Sequence, residues 1–501
     1  MGLLSRIRSA FAPSASYGTG SGYAGGNFSR RREDKAFRRS LPLDEDRLSG
    51  TYGRAKMRLE CLDLVRNNPL VAGIVDRFQD HVVGGGIAPQ AKTSSPEWNK
   101  QAEQFWAEWS KVCDYRQRMN MREMQRAIIR ARMATGDCGF VLLKNGQIQP
   151  VEAERIASPQ DLMNDATMVD GVRLRPSGII DSFYVGSRDS SGNVGRTAKD
   201  FERIYAQDFI HCLRAIRFDQ VRGIPDLAPI LNHVHDLGRL GEEVLNRAIL
   251  DALHAWAVYS EEGPSKINQT GPRNVTPKTV EEGQRVEYFS GGQTYYMRPG
   301  EKVESLASAT PNATLVPFIQ HMLTTIGAAI GLPYEFLLLD FKGGSFSASR
   351  AALMTTYRTF QTNQVWLVDS FLQRAWNWRI AKAIKNGELA PAPVDERGVS
   401  EWYKVRWQFP RHDWIDPAKQ VAADENDIRL GVSSWSAVAA TRGRDAEDIA
   451  EEKGQDIMDA IRIAAKIKEK TGEEISWRDL LSQDPAKDRA VNTAPNEQVT
   501  Q

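Results

Sequence analysis

The longest regular pattern of apolar and polar positions lies at residues 347–385. This stretch contains neither proline nor glycine, and Gly387 follows it as a natural helix stop. Its length predicts a single helix of roughly 58 Å at about 1.5 Å per residue. Because ordinary helices have about 11–12 residues, such a helix must cross a large particle, join domains or pack against copies of itself.

Apolar residues form a stripe along this predicted helix. Leu353, Phe360 and Leu367 recur at intervals of seven residues. A second, offset set consists of Tyr357, Phe371 and Trp378. Stripes with this spacing predict packing against neighbouring helices.

The first half of the chain shows shorter helical patterns separated by turn signals. Helices are predicted at 53–66 and 69–81, because Pro69 can begin a new helix. The three glycines at 84–86 predict a turn into a short strand. Two further helices are expected within 96–135, with Phe105, Trp106 and Trp109 on one side of the first and an Arg-rich second helix at Met121–Arg132.

Alternating patterns follow, and they change the expected fold class. Asn145-Gly146 between two apolar runs predicts a β-hairpin with a type I′ turn. Short strands continue to about residue 222. A helix beginning near Pro225, a β-rich block at 264–307 and an apolar helix at 313–331 come next.

The C-terminal part is predicted to combine one β segment with several helices. A Pro-rich turn and the β segment follow the long helix, and a further helix spans Pro417 to about Leu430. A charged helix at 445–470 is acidic at its start and basic at its end, which suits the helix dipole. Together these patterns predict an α+β, multidomain chain.

Composition sets broad limits. The chain has 501 residues, a hydrophobic content of 41%, a charged content of 26% and a net charge of +1. These values are ordinary for a soluble protein with several domains. The net charge does not indicate whether the protein binds nucleic acid. No apolar run is long enough to predict a membrane span. The cysteines are widely spaced and predict reduced, buried thiols: Cys61, Cys113, Cys138 and Cys212.

Catalytic and metal-binding motifs are absent from the sequence. The string KGGS at 342–345 lacks the Gly-Lys-Ser/Thr of a phosphate-binding loop, and no GxSxG element occurs. His233 and His235 are two residues apart, so on a helix they face different directions and cannot share a metal. The sequence predicts no catalytic residue, no metal and no cofactor, and therefore a protein that is not an enzyme.

Several strings resemble one known family, the portal proteins of tailed bacteriophages in the lambda-like branch. The resemblance covers roughly residues 45–385 and is most specific near the long helix. The strings are RNNPLVAGIVDRFQDHVVGGGIAPQ, RGIPDLAPILNHVHDLGRLGEEVLNRAILDA, PGEKVESLASATPNATLVPFIQHMLTTIGAAIGLPYEFLLLDF and SFSASRAALMTTYRTFQ.

The resemblance implies a portal fold with a wing, a two-helix stem, an α/β clip between the stem helices and a helical crown. Portals of this family form rings, usually of twelve subunits. The expected segments are a flexible basic arm (1–40), wing (41–346), first stem helix (347–386), clip (387–414), second stem helix (415–430), tunnel loop and wing return (431–445), crown (446–483) and disordered tail (484–501). The arm is expected either to contact DNA or a partner surface or to remain a solvated tail.

The expected clip is rich in aromatic and basic residues, which are enriched at protein interfaces. It is the predicted docking surface for partner proteins, and the alternative is a local β core. The residues are Trp402, Tyr403, Lys404, Arg406, Trp407, Arg411 and Trp414.

DNA must slide through a portal, so its contacts are expected to be charge interactions with phosphates that do not read bases. The candidate cations lie on the expected second stem helix and tunnel loop: Lys419, Arg429, Arg442 and Arg444. The alternative for each is a surface cation in an ion pair between subunits.

The resemblance therefore implies a ring-shaped channel at one capsid vertex, through which double-stranded DNA is packaged and ejected. The implied partners are copies of the chain (a dodecamer), the terminase large subunit, a head-completion or adaptor protein, major capsid and scaffold proteins, and DNA without sequence specificity, with no membrane. The implied location is the virion, and the host cytoplasm during assembly. Rival hypotheses are another head–tail connector or minor capsid protein, and the packaging ATPase, which the missing phosphate-binding loop opposes.

Overall fold

The computed structural model describes most of the chain and combines helices with antiparallel sheets. The described residues are 45–163, 165, 167–252, 256–260, 301–305, 314–340, 346–410, 417–442, 444, 446–471 and 480. The chain divides into two compact units. We call Leu227–Gly344 the small unit, and Leu41–Asp226 together with Ser345–Gln501 the large unit. The predicted N-terminal arm (1–40) and tail (484–501) lie outside the described residues.

The helices of the described part are, in chain order, α1 (Glu45–Asn67), α2 (Pro69–Val82), α3 (Pro96–Lys111), α4 (Met121–Thr135), α5 (Leu231–Ala252), α6 (Leu315–Ile330), α7 (Tyr334–Leu338), α8 (Phe346–Leu367), α9 (Gln373–Asn386), α10 (Pro417–Arg429), α11 (Trp435–Thr441) and α12 (Ala446–Thr471). The strands are β1 (Ala88–Ala91), β2 (Asp137–Leu142), β3 (Ile148–Glu152), β4 (Met168–Val169), β5 (Val172–Leu174), β6 (Ile180–Gly186), β7 (Phe201–Tyr205), β8 (Phe209–Leu213), β9 (Trp256–Ser260), β10 (Glu301–Ser305) and β11 (Val405–Gln408).

The predicted break between the first two helices is confirmed at Asn68-Pro69. The Asn68 side chain accepts hydrogen bonds from the backbone amides of Leu70 (3.0 Å) and Val71 (3.2 Å). These are amides that the first turn of α2 cannot pair internally. Pro69 lacks an amide hydrogen, so it fits the first helical position without loss.

Glycine is required where α4 ends and β2 begins. Gly136 has φ +92°, and a Cβ there would lie 2.6 Å from the backbone of Gly223 and Ile224. A larger side chain would therefore separate the two segments or strain the turn. This close approach brings Asp137 beside the residues that follow β8.

Two antiparallel sheets form the β layer of the large unit. One has the strand order β3-β2-β8 and the other β4-β5-β6-β7. The predicted hairpin is confirmed, with Phe140 opposite Pro150. Its turn is not of the predicted type I′, which needs a positive φ at both central residues: Gly146 has φ +87°, but Asn145 has no positive φ, and the Gly146 amide donates to the Leu143 carbonyl (3.0 Å). The sheets share an apolar core in which the rings of Phe183 and Phe209 stack with centroids 4.3 Å apart.

The predicted long helix is present, and it is a core element of the large unit. It runs through α8, a π-helical turn at Val368–Leu372 and α9. Phe360, Leu367 and Phe371 are fully buried within this one chain. Phe360 contacts Phe78 of α2, with centroids 5.5 Å apart. Burying one such side chain contributes about 1.5–3 kcal/mol.

The apolar stripe therefore packs against the chain's own elements. The predicted packing against a neighbouring helix is confirmed for Phe360, and that helix is α2 of the same chain. The stripe also meets a strand. Phe371, for example, contacts Phe140 of β2 with centroids 4.5 Å apart. Heptad spacing produces the same stripe whether the partner surface is internal or another subunit.

Residues 387–410 also fold back onto the large unit. Strand β11 pairs antiparallel with β1, and Trp407 lies opposite Pro89. The Trp98 indole donates to the carbonyl of Ala390 (2.9 Å), and the Ser94 amide donates to the Glu401 carboxylate (2.7 Å).

These contacts hold the segment against residues 88–98 of the large unit, and its role as the clip stays a prediction. Sequence patterning located the strand correctly, but its hydrogen-bonding partner lies more than 300 positions earlier in the chain. Pairing over that distance leaves no local signal in either segment. The assignment of the other segments as wing, stem, tunnel loop and crown also remains a prediction.

The small unit has the order helix, paired strands, helix. Strands β9 and β10 are antiparallel, with Val258 opposite Val303, and they lie between α5 and α6 in the chain. Helix α6 ends at Gly331, whose φ of +76° provides a left-handed cap. The predicted β-rich block falls largely on residues outside the described part of the chain.

Candidate DNA-contact and docking residues

The predicted DNA-contact residues lie in the C-terminal helices of the large unit. Lys419 is in the first turn of α10, and its side chain lies outside the described part. Arg429, in the last turn of α10, is exposed and donates to the Asn426 side chain (3.0 Å). The helix and its boundary agree with the sequence prediction.

Arg442 and Arg444 are both ion-paired within the chain. Arg442 donates to the Asp424 carboxylate of α10 at 2.9 Å. Arg444 pairs with Glu452 of α12, and this hydrogen bond raises the pKa of Arg444. Each cation thus has a neighbouring carboxylate that lowers the positive potential it offers to a phosphate. We expected such pairs, as the alternative to DNA contact, between subunits rather than within one.

The predicted docking residues divide into buried and exposed members. Trp407 is 8% exposed, and its indole donates to the Gln373 side chain (2.9 Å). The Trp402 carbonyl accepts a hydrogen bond from the Trp376 indole (3.0 Å). For Trp407 the local-core alternative therefore describes the contacts, whereas the Trp402 side chain is half-buried and stays a candidate contact.

A smaller set of the predicted docking residues reaches solvent. Tyr403 is 42% exposed and Arg406 is exposed. The Lys404 ammonium lies 2.6 Å from the Glu401 carboxylate. Arg411 and Trp414 lie outside the described residues. Tyr403, Lys404 and Arg406 remain as candidate contacts for a partner protein.

A buried charge cluster is the main polar feature that sequence reasoning missed. Asp137 is fully buried and accepts hydrogen bonds from Arg222 through both carboxylate oxygens, at 2.7 and 3.1 Å. The Gly223 amide (2.8 Å) and the His211 ring (3.3 Å) contact the same carboxylate. Arg58 completes the surroundings at 3.4 Å.

The cations keep this carboxylate ionised. Burial alone would raise the pKa of Asp137, but Arg222 and Arg58 hold it well below its usual range. Burial lowers the pKa of His211, so the ring is neutral. The cluster joins α1, β2, β8 and the residues after β8 through buried contacts made by the Asp137 carboxylate.

The cluster extends to a second buried carboxylate. Asp170 accepts a hydrogen bond from Arg54 of α1 at 3.0 Å, and Arg222 lies 3.4 Å from the same oxygen. Arg222 also donates to the carbonyls of Ile156 (2.6 Å) and Ala153 (2.9 Å). Asp137 and Arg222 are 85 positions apart, so no sequence motif could reveal this contact.

A further cation anchors α4 to the long helix. Arg132 donates to Asp226 at 2.8 Å and to Asn363, and its guanidinium lies 4.4 Å from the ring centroid of Trp366. The Arg-rich pattern of this helix was visible in the sequence, but the division between buried and exposed arginines was not. Within the described part of the chain, no group of three or more His, Cys, Asp or Glu side chains is placed to hold a metal ion.

None of the described helices is both long and apolar enough to cross a membrane. This finding concerns only the described residues.

Comparison with solved structures finds likeness at low identity. The neck of an empty GTA particle computed with C6 symmetry contains a chain with a TM-score of 0.45 and 12% identity, covering 77% of this chain and 94% of that chain. A portal protein of the HK97 family from Corynebacterium diphtheriae gives a TM-score of 0.27 and 11% identity, covering 75% of this chain and 98% of that one. Both TM-scores are below 0.5, so the family assignment does not rest on these two structures.

Sequence comparison is more specific. The portal protein of Escherichia phage N15 is 22% identical over 452 residues, covering 81% of this chain and 84% of the relative. Portal protein B of Escherichia phage lambda shows the same identity and coverage. The family model described as phage portal protein, lambda family, matches residues 31–364, which is more than half of the chain. The chain therefore belongs to the lambda family of phage portal proteins, and the role that follows from this family is that of the channel for DNA packaging.

Proposed function

We propose that the chain assembles into a ring, of twelve copies as is usual in the family, at one capsid vertex of the virion. The ring would carry double-stranded DNA during both packaging and ejection without reading its sequence. Its part in this process is structural, with no catalytic step of its own. Assembly would take place in the host cytoplasm before the ring becomes part of the virion.

The observation that carries the ring proposal is the exposed apolar surface of the small unit. Leu245 and Ile249 of α5 are 61% and 49% exposed, and Val316 and Phe318 of α6 are 59% and 53% exposed. Water is a poor environment for four large apolar side chains on two helices of one unit. Adjacent copies in a ring would cover them.

We infer that the small unit contains the stem and the clip. The family implies two stem helices with a clip between them, and α5, the β9–β10 pair and α6 occur in that order. Support comes from the large unit as well, since the long helix predicted as a stem is buried there. The clip would then be centred on β9 and β10 and would dock the terminase large subunit or a head-completion protein.

Electron microscopy of the purified protein tests ring assembly. We expect rings whose central hole admits a DNA duplex, and a double variant Leu245→Asp with Ile249→Asp that yields mainly monomers. Asn246→Asp is the matched control, because it adds a charge on the same helix without removing an apolar group. Monomers from the unaltered protein would contradict the proposal, and so would rings from the double variant.

A binding assay distinguishes the two candidate docking segments. Lys302→Glu changes the β9–β10 pair, whereas Tyr403→Ala with Arg406→Ala changes the segment first predicted as the clip. We expect only Lys302→Glu to weaken binding of the terminase large subunit to preformed rings, measured by surface plasmon resonance. Weakening by the Tyr403 and Arg406 changes alone would contradict the reassignment of the clip.

A further inference from the structure

A groove with a basic rim and an apolar floor lies on the large unit, between α1, α4 and the loop that joins α3 to α4. We call it the arginine groove. Two adjoining cavities of about 500 and 520 Å³ form it, and both are lined by Arg116 and Arg118. The cavities are also lined by further arginines and by three carboxylates: Arg58, Arg66, Arg130, Arg155, Arg188, Asp114, Glu152 and Glu154.

The loop that carries two of these arginines is held in place by a buried carboxylate. Asp114 is 2% exposed and accepts hydrogen bonds from the backbone amides of Arg116 (3.0 Å) and Arg118 (3.0 Å). The Asp114 carboxylate is therefore hydrogen-bonded to backbone amides and not to the arginine side chains. The guanidinium groups of Arg116 and Arg118 form no ion pair with any residue that the structure describes.

Positive charge is crowded at this place. The pKa of Arg155 is lowered by partial burial and then by the charges of Arg116 and Arg188 nearby. Arg188 pairs with Glu152 and Glu154, and the charges of Glu152 and Glu202 partly offset that of Arg155. Like charges gathered around a cavity favour the binding of an anionic group.

The floor indicates what kind of anionic group fits. Leu59 is 66% exposed and Met119 is 39% exposed, and both line the cavity of about 500 Å³ together with the buried Met124. A phosphate backbone offers nothing apolar to cover these side chains. A protein segment that carries both carboxylates and apolar side chains would pair with the arginines of the rim and cover the apolar floor. Arginine and methionine are both enriched at protein interfaces.

Helix α12 of this same chain has that combination. Asp448, Glu452 and Asp456 recur every four residues and so lie along one exposed face. Glu452 already pairs with Arg444 of its own chain, so Asp448 and Asp456 are the members that would face another copy. On the same face, two turns after Asp456, lies the exposed side chain of Ile463 (48%). The helix is buried elsewhere, at Ala446 and Ala460.

We propose that the arginine groove of one copy receives helix α12 of a second copy, with Arg116 and Arg118 facing the acidic stripe and Leu59 and Met119 covering Ile463. Such a contact joins two different surfaces, and a contact of that type can close into a ring. The inference rests on the ring assembly proposed above and specifies one of its interfaces.

Charge reversal tests the contact in the full-length protein. We expect Arg116→Glu with Arg118→Glu to raise the concentration for half-assembly by at least about tenfold, measured by mass photometry, because like charges then face each other. Asp448→Lys with Asp456→Lys should do the same, and combining all four changes should restore assembly. Arg196→Glu, at an exposed position outside the groove, is the matched control and should assemble like the unaltered protein.

The outcomes separate this contact from ring formation itself. If the unaltered protein forms rings and the Arg116 and Arg118 reversal forms them equally well, the contact is wrong while the ring proposal stands. Failure of the fourfold variant to restore assembly would overturn it too. Normal assembly with weaker binding of double-stranded DNA would instead assign the groove to DNA.

Disulfide trapping gives an independent test. The four native cysteines are buried and unpaired, so added thiols can be oxidised selectively. A variant with Arg118→Cys and Asp456→Cys should form a ladder of covalently linked copies under mild oxidation. Either single variant should not extend beyond linked pairs. Absence of the ladder in protein that forms rings would overturn the proposed contact.

Discussion

At the scale of single residues, buried charge decides how the large unit is joined. Asp137, Arg222 and Asp170 have 0%, 0% and 4% of their side-chain surface exposed. Removing charges from water is costly, and mutual attraction offsets that cost only when every group has a partner. The cluster meets this condition, so loss of one member should cost more than loss of a pair.

Replacing Arg222 by Met should therefore lower the free energy of unfolding by about 3–5 kcal/mol, because it leaves the Asp137 carboxylate buried without its main counterion. Urea unfolding followed by tryptophan fluorescence measures this change. The double variant Asp137→Asn with Arg222→Met removes both charges and should lose less than the sum of the single losses. Additive losses would show that the two residues do not act as a pair.

At the scale of elements, the long helix joins the parts of the large unit. Its buried residues contact α2 through Phe78 and β2 through Phe140. Its length is explained by these contacts, with the π-helical turn Val368–Leu372 between α8 and α9. A wide turn of this kind shifts the helical register, so buried positions before and after it can follow different stripes.

Proline at Thr362 should destabilise the large unit itself. It removes a backbone hydrogen bond within α8 and clashes with the preceding turn, at a cost of about 3 kcal/mol or more. Circular dichroism during urea unfolding should show an earlier transition for Thr362→Pro. Thr362→Ala is the control, since the residue is exposed and alanine keeps the backbone hydrogen bond. An unchanged transition combined with loss of rings would restore the stem hypothesis for this helix.

At the scale of the whole molecule, the C-terminal helices carry the candidate cations for DNA. Arg442 and Arg444 pair with Asp424 and Glu452 inside the chain. Pairing does not exclude phosphate contact, but each carboxylate offsets the positive charge beside it. Substituting these two carboxylates therefore provides a control experiment that the sequence alone did not suggest.

We expect Arg442→Gln with Arg444→Gln to shorten the packaged genome or lower infectivity while rings still form. Asp424→Asn with Glu452→Gln breaks the same ion pairs but leaves the cations in place, so it should not reduce packaging. Measuring packaged DNA length in complemented phage particles separates the cases. Equal losses from both variants would mean that the pairs matter for structure and that the cations do not face DNA.

Local interactions determined much of this protein from sequence alone. The break at Asn68-Pro69, the turn at Asn145-Gly146 and the end of the long helix at Gly387 all depend on residues close to one another in the chain. Helical and strand periodicity and capping residues act over the same short range, which is why element positions were predicted closely. The family resemblance came from strings of this kind as well.

Only the tertiary structure decided which elements meet. Strand β11 pairs with β1 across more than 300 positions, Arg222 meets Asp137 across 85, and the stripe at Phe360 and Phe371 is covered by the chain itself. An apolar or charged side chain has the same local pattern whether its partner is internal, another copy or DNA. The exposed surfaces of α5, α6 and α12 are defined only once the internal contacts are known, because burial is a property of the folded chain and not of a residue type.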